Sequence, residues 1–122
     1  MATTVAVVRV YQDGGRAQGD YRVLVDRLWP RGLVKTTLDH DEWNREVAPS
    51  TELRRWYGHL PERFAEFSER YEAELAISPA ADGVNRLAVV ARSQHLVLLT
   101  ATRDVERSAA AVLRGVIQSL TD

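Results

Sequence analysis

Three apolar stretches of the chain predict β-strands. They lie at residues 5–11 (VAVVRVY), 21–28 (YRVLVDRL) and 95–100 (HLVLLT). The loop between the first two has nine residues, fewer than the roughly twelve that a parallel crossover usually needs. If these two strands are neighbours, we therefore expect them to be antiparallel. Residues 38–47 fit neither a helix nor a strand clearly, and both remain open.

Apolar residues at helical spacing predict the helices. The first is bounded by Ser50, which can cap its amide groups, and by Gly58, which can end it. The second begins at Pro61 and should bury one apolar stripe. That stripe consists of Phe64, Phe67, Tyr71 and Leu75.

Two more helices are expected in the second half of the chain. Asp82 is placed to cap the third helix. Its expected buried positions are Val84, Leu87, Val90 and Ala91. The last helix follows the third strand closely, and its expected buried face carries Val105, Ala109, Val112, Val116 and Leu120.

This order of elements predicts the α/β class. We expect a small, three-layer-like single domain over residues 1–122, in which helices pack on a short, mostly parallel or mixed sheet. The chain has no internal repeat, low-complexity segment or linker that would suggest a second domain.

Composition excludes several functions. The chain has no cysteine, and its three histidines are too far apart for a metal-ligand motif, so we predict neither a metal site nor a cofactor. A net charge of -1 argues against broad nucleic-acid binding. No stretch suits a membrane helix, and the amino terminus (MATTVAVVRVY) lacks the pattern of a signal peptide, so we predict a cytoplasmic protein without membrane association.

The end of the second predicted strand, VDRLWPRG, is unusually charged. Because side chains alternate along a strand, Arg27 and Trp29 should face one way and Asp26 the other. One interpretation is structural: Asp26 accepts amide hydrogen bonds or pairs with an arginine such as Arg54, and Arg27 binds carbonyls. The other is functional, because ligands of α/β proteins bind outside the carboxyl ends of strands.

Three strand ends offer polar residues for such a site, at 11–15, 26–32 and 100–104. Planar guanidinium groups suit phosphate or carboxylate. The predicted anion site uses Arg27, Arg31, Arg54 and Arg103. The acid–base candidates are Asp26 and His59, since a histidine changes charge near neutral pH.

Aromatic residues near these ends can stack a planar ligand. The candidates are Trp29, Trp56 and Tyr57, although Trp56 also suits a core position. His59 also suits the end of a helix, where the helix dipole favours a cation. Asp104 lies before the last helix, where it can serve the ligand site or cap the helix.

Taken together, the phrases VDRLWPRG, APS, WYGH and RDVE resemble the family called domain of unknown function 488, in its YeaO-like branch. The resemblance extends over about residues 9–120. It implies a small bacterial-type α/β domain, in a family without an established activity. The positions that match the family are Asp26, Arg27, Trp29, Pro30, Arg31, Gly32, Trp43, Pro49, Ser50, Arg54, Trp56, Gly58, His59, Asp104 and Glu106.

Two departures from the family pattern bear on mechanism. Similar proteins carry a histidine and an asparagine after the glutamate that Glu106 matches, where this chain has Arg107 and Ser108. A related branch has a cysteine where Thr100 stands. These departures weigh against a mechanism that uses that histidine or a thiolate.

The sequence leads to two functional hypotheses. The first is an intracellular enzyme or ligand-binding domain for a small anionic, phosphate- or nucleotide-like ligand. The alternative is a non-catalytic module that binds a protein partner or a nucleic-acid end. A concave arginine cluster beside Asp26 favours the first, and an exposed flat patch centred on Trp29 or Trp43 favours the second.

Overall fold

A parallel sheet forms the centre of the fold in a computed structural model that describes residues 5–122. Residues 1–4 lie outside the described residues. They are the start of the segment that was found to lack a signal-peptide pattern. The strands are β1 (Val5–Arg9), β2 (Asp20–Leu24), β3 (Glu42–Trp43) and β4 (His95–Thr100). Their order is β1-β4-β2-β3, and each pair of neighbours is parallel.

The first two strands are not neighbours, and they run parallel because each of them pairs in parallel with β4. The most apolar strand, β4, lies between them and pairs through Leu96 with both Val5 and Tyr21. A strand that is apolar on both faces is most stable at the centre of a covered sheet. Antiparallel pairing was predicted only for the case in which the two strands are neighbours, and β4 lies between them.

Four α-helices pack against the sheet. They are α1 (Thr51–Tyr57), α2 (Phe64–Leu75), α3 (Ala80–Ser93) and α4 (Ala109–Thr121), with short 3₁₀ turns at Val10–Gln12, Pro61–Arg63 and Val105–Arg107. The predicted ends of α1 are confirmed: the Ser50 hydroxyl accepts the Leu53 amide at 3.1 Å, and Gly58 is left-handed with a φ of 54°. The apolar stripe of α2 is confirmed as core.

The third helix starts earlier than predicted. It begins at Ala80 and its N-cap residue is Pro79, so Asp82 lies within the first turn and does not cap it. The carboxylate of Asp82 still lies where it favours the helix dipole.

The helix α4 buries its predicted face only in part, because Ala109, Val112 and Val116 are half-buried and pack against the core. Its buried residues are Ala110, Leu113 and Ile117, whereas Leu120 is exposed, and Val105 belongs to a separate 3₁₀ turn. Two adjacent apolar stripes on α4 have the same helical spacing, so periodicity alone does not tell which one faces the sheet.

The two faces of the sheet are covered differently. On β4, Leu96 and Leu98 join the core beneath the helices, and Val97 and Leu99 join a second cluster on the opposite face. All four helices pack on the first face. The second is covered by irregular chain that contributes Trp29 and Leu38, so the third layer of the fold is not helical.

The undecided segment 38–47 contains the two-residue strand β3. The residues just before β3 are held against β2 by Arg22. This fully buried side chain donates to the Asp39 carbonyl at 2.6 Å and pairs with Asp13. No helix within residues 5–122 combines the length and the apolar character needed to cross a bilayer.

Candidate functional site

A cavity of about 740 Å³ lies outside the carboxyl ends of β1, β2 and β4. Because these strands are parallel, the residues that follow them meet at one edge of the sheet, as expected for ligand sites of α/β proteins. Tyr11, residues 25–31 and residues 101–104 line it. The end of α1 and the start of α4 complete the wall, through Arg54 and Ala109 among others.

Asp26 connects the ends of β2 and β4. Its carboxylate accepts the Thr100 hydroxyl and the Ala101 amide, both at 2.7 Å. Burial raises the pKa of Asp26 above the usual aspartate value, while these two hydrogen bonds and the nearby His59 oppose the rise. The structural interpretation of Asp26 is thus correct as to amide contacts, although its partners are Thr100 at the end of β4 and Ala101 just after it, not Arg54.

Arg27 binds main-chain carbonyls, as its structural interpretation requires. Its Nε donates to the Pro49 carbonyl at 3.0 Å, and a terminal nitrogen donates to the Ala48 carbonyl at 3.4 Å. The side chain therefore holds the residues that precede α1 against the end of β2. Arg27 also lines the cavity.

Three other arginines line the cavity without such contacts. No described residue forms a hydrogen bond or an ion pair with the guanidinium groups of Arg31, Arg54 or Arg103. The Nε atom of Arg54 is buried and has no partner. A buried donor without an acceptor costs about 1–3 kcal/mol, so an oxygen acceptor placed at this atom would remove an energetic penalty.

His59 lies at the cavity wall in an unusual conformation. The residue that ends α1 is Gly58, and His59 follows it with a φ of 58°, in the left-handed region. Such a conformation in a non-glycine residue costs on the order of 1 kcal/mol and is typical of functional sites or sharp turns. Its ring is 6.1 Å from that of Tyr57.

Tyr57 forms part of the apolar wall. Its ring stacks on Phe67 with a centroid distance of 4.2 Å, and its hydroxyl donates to the Arg107 carbonyl at 2.6 Å. Burial, followed by the charge of Asp104, raises the pKa of Tyr57, so its hydroxyl remains protonated at neutral pH.

The tryptophans differ from what the sequence predicted. Trp29 lines the cavity but belongs to the cluster around Leu24, on the opposite face from Val23, because β2 ends at Leu24 and strict alternation ends with it. It contacts Trp43 edge to face at 5.4 Å.

Trp56 does not line the cavity. The guanidinium carbons of Arg63 and Arg70 lie 5.1 and 4.4 Å from its ring centre, and the indole packs against the helical core. We therefore leave Trp56 out of the site.

Asp104 lines the cavity but caps no helix. It pairs with Arg107 at 2.9 Å, and the cap of α4 is Ser108, whose hydroxyl accepts the Ala111 amide at 3.1 Å. An aspartate and a serine four residues apart are both good caps, and the intervening 3₁₀ turn decides between them.

Two contributors lie in strand ends that the sequence pointed to, at 11–15 and 100–104, but were not singled out as site residues. Tyr11 donates from its hydroxyl to the Arg31 carbonyl at 2.6 Å, and Thr100 binds Asp26. Thr100 ends β4 and Tyr11 lies in the 3₁₀ turn after β1, so position near a strand end predicted the segments but not the contacts that these two side chains make. Within residues 5–122, no three histidine, aspartate or glutamate side chains gather where they could hold a metal ion.

A comparison with known families identifies the family of this chain. The model described as "Inactive DUF488-N3 subclade" matches residues 4–122, so the chain belongs to that family, and the resemblance noted from VDRLWPRG is confirmed.

The curated relatives are uncharacterized bacterial proteins. The chain is 50% identical over 111 residues to "Uncharacterized protein Rv3073c" of Mycobacterium tuberculosis, which covers 91% of each chain. It is 45% identical over 112 residues to "Uncharacterized protein YeaO" of Escherichia coli, covering 92% of this chain and 95% of that one. No solved structure gives a significant match.

Proposed function

We propose that the protein is a binding domain for a small anion of the phosphate or nucleotide class, held in the cavity at the carboxyl ends of the strands. The observation that carries this proposal is the set of three cavity arginines without a partner among the described residues. These are Arg31, Arg54 and Arg103. An oxyanion would supply the acceptor that the Arg54 Nε lacks, and each charge-assisted hydrogen bond contributes about 1.5–3 kcal/mol.

The amino terminus of α4 supports an anion at the same place. Ser108 and Ala109 line the cavity, and although the Ser108 hydroxyl binds the Ala111 amide, the first amides of a helix have no main-chain acceptor within the helix itself. The helix dipole adds a partial positive charge there, which favours phosphate and carboxylate groups. The arginines and the helix start therefore favour the same kind of ligand.

Binding without catalysis fits the site better than an enzymatic role. Both Asp26 oxygens already accept a hydrogen bond, and the family description carries the word "inactive". A catalytic version would use Asp26 and His59 as the acid–base pair. Turnover of a phosphomonoester that disappears in Asp26→Asn would favour that version.

The alternative of an interaction module has less support. It needs an exposed patch centred on Trp29 or Trp43. Both rings are half-buried, and their indole nitrogens donate inside the protein, to the Leu33 and Asp26 carbonyls. The arginines, in contrast, line a concave surface beside Asp26.

The test compares two neighbouring arginines of α1. Inorganic phosphate, nucleoside monophosphates and sugar phosphates are titrated into the parent, Arg54→Ala and Arg55→Ala by calorimetry. Arg55 is exposed, lies outside the cavity and carries the same charge, so it is a matched control. We expect Arg54→Ala to weaken binding of a responding ligand at least tenfold, and Arg55→Ala to change it less than twofold.

Two results would contradict the proposal. One is that no anion in the panel binds the parent. The other is equal weakening by both variants, which would indicate attraction by net charge alone. Thermal melting of each variant shows whether it is folded.

A further inference from the structure

The cavity is much larger than a phosphate group. Its volume of about 740 Å³ is typical of pockets that hold whole small molecules, roughly 300–1,000 Å³. A bare phosphate would occupy the arginine end and leave the remainder filled with water. The body of the ligand must therefore be matched to the rest of the wall.

Apart from its charged groups, that wall is mostly apolar. Its deep part includes Val25, Tyr57 and Phe67, which are buried. At the outer part, Leu28 exposes 61% of its surface and lies beside the solvent. An apolar side chain this exposed gains from being covered by an apolar ligand, at roughly 25 cal/mol per Å².

Apart from Thr102, the hydroxyl and indole groups of the wall are already engaged with the main chain. The hydroxyls of Tyr11 and Tyr57 donate to the carbonyls of Arg31 and Arg107. The Trp29 indole and the Ser108 hydroxyl likewise donate to main-chain carbonyls. The hydroxyl of Thr102 is the exception: among the described hydroxyl groups of the wall, it donates to no main-chain carbonyl.

A ligand body rich in hydroxyl groups would thus be buried with few partners. Each buried polar group without a hydrogen bond weakens binding, whereas an aromatic or alkyl body meets no such penalty. The wall therefore offers charge for one end of a ligand and apolar surface for the other.

Resting on the proposed anion site, we propose that the ligand is an amphiphilic anion, with a phosphate or carboxylate head at the unpartnered arginines and an aromatic or alkyl body along Leu28. A sugar phosphate is a poor ligand on this account. A bare phosphate is a weak one, because it leaves the apolar wall uncovered.

The test uses two ligands of similar size and equal charge, 1-naphthyl phosphate and glucose 6-phosphate, with inorganic phosphate as the reference. Each is titrated calorimetrically into the parent protein. We expect 1-naphthyl phosphate to bind at least tenfold more tightly than either of the others.

A matched pair of variants locates the body of the ligand. Leu28→Ser should weaken 1-naphthyl phosphate about fivefold and leave inorganic phosphate unchanged. Val34→Ser is the control, because Val34 is equally exposed, at 62%, lies in the same stretch of chain and does not line the cavity. Val34→Ser should change neither affinity.

The outcomes separate this inference from the proposed function. If glucose 6-phosphate binds as tightly as 1-naphthyl phosphate and both depend on Arg54, the anion site stands and the amphiphilic ligand is wrong. Equal effects of Leu28→Ser and Val34→Ser would also overturn the inference. If no ligand binds, both proposals fall.

Discussion

Asp26 illustrates how burial and hydrogen bonding compete at a single carboxylate. The Ala101 amide and the Thr100 hydroxyl favour the charged form, but burial outweighs them and raises the pKa. The folded protein therefore holds this proton more tightly than the unfolded chain does. Ionising Asp26 makes the folded state less stable relative to the unfolded one.

Asp26→Asn should remove this pH dependence. In the parent, the free energy of unfolding falls as the pH rises from the ordinary aspartate pKa, about 3.9, through the raised pKa of Asp26. The variant has no charge to bury, so its stability relative to the parent should increase across that window and stay constant above it. Urea unfolding at a series of pH values measures the difference.

Asp39→Asn provides a control of opposite sign. The hydrogen bond from Arg16 lowers the pKa of Asp39, so its ionised form favours folding. The stability of this variant relative to the parent should fall as the pH rises, within a window below the ordinary aspartate pKa. Parallel pH profiles for the two variants would contradict the assignment of Asp26.

At the residue scale, the sequence predicted where individual side chains lie better than it predicted which residues they bind. It placed Asp26 at a strand end and indicated that a buried carboxylate needs hydrogen bonds. It did not predict Thr100 as a partner, because the two residues are 74 positions apart and meet only when β4 enters the sheet beside β2. The same applies to Arg54, whose lack of a partner depends on the shape of the whole cavity.

At the scale of the elements, α3 comes close to the chain that precedes α1 at one glycine, Gly83. A Cβ atom built on Gly83 would lie 2.8 Å from Cγ1 of Val47, a fully buried and stiff side chain. The equivalent atom on Gly115 of α4 would have no neighbour within 4 Å. Two helical glycines thus have opposite environments.

Gly83→Ala should therefore destabilise the protein and Gly115→Ala should stabilise it. Alanine gains up to about 1 kcal/mol of helix propensity at either position. At Gly83 the clash costs roughly 1–3 kcal/mol, so we expect a net loss of about 1 kcal/mol in the free energy of unfolding. Denaturant unfolding of both variants measures this, and a gain in Gly83→Ala would show that Val47 can move aside.

Elements fixed by local signals were the ones that the sequence predicted well. The cap at Ser50, the end at Gly58 and the strand His95–Thr100 each depend on residues within or beside the element. The buried stripe of α4 and the two-residue strand β3 depend on what packs against them. Neither is encoded by spacing alone.

Across the whole molecule, the two faces of the sheet are stabilised by different means. The helical face buries the larger apolar cluster, whereas the other is covered by irregular chain around a smaller one. There Arg22, which is 1% exposed, ties the sheet to the cover through Asp13 and the carbonyls of Gly15 and Asp39. The sheet order that creates this asymmetry involves contacts between distant parts of the chain, so local patterns did not predict it.

Asp13→Ala tests how much that attachment contributes. Removing one partner of a buried ion pair leaves an uncompensated charge, so we expect a loss of about 3 kcal/mol in the free energy of unfolding. Glu66→Ala is the control, because its i,i+4 pair with Arg70 is half exposed and should contribute less than about 0.5 kcal/mol. Denaturant unfolding compares the two.

The double variant Asp13→Ala, Arg22→Met should lose less stability than the sum of the losses of its two single variants, since it leaves no buried charge unpaired. Equal losses from Asp13→Ala and Glu66→Ala would mean that apolar contacts alone hold the irregular layer in place.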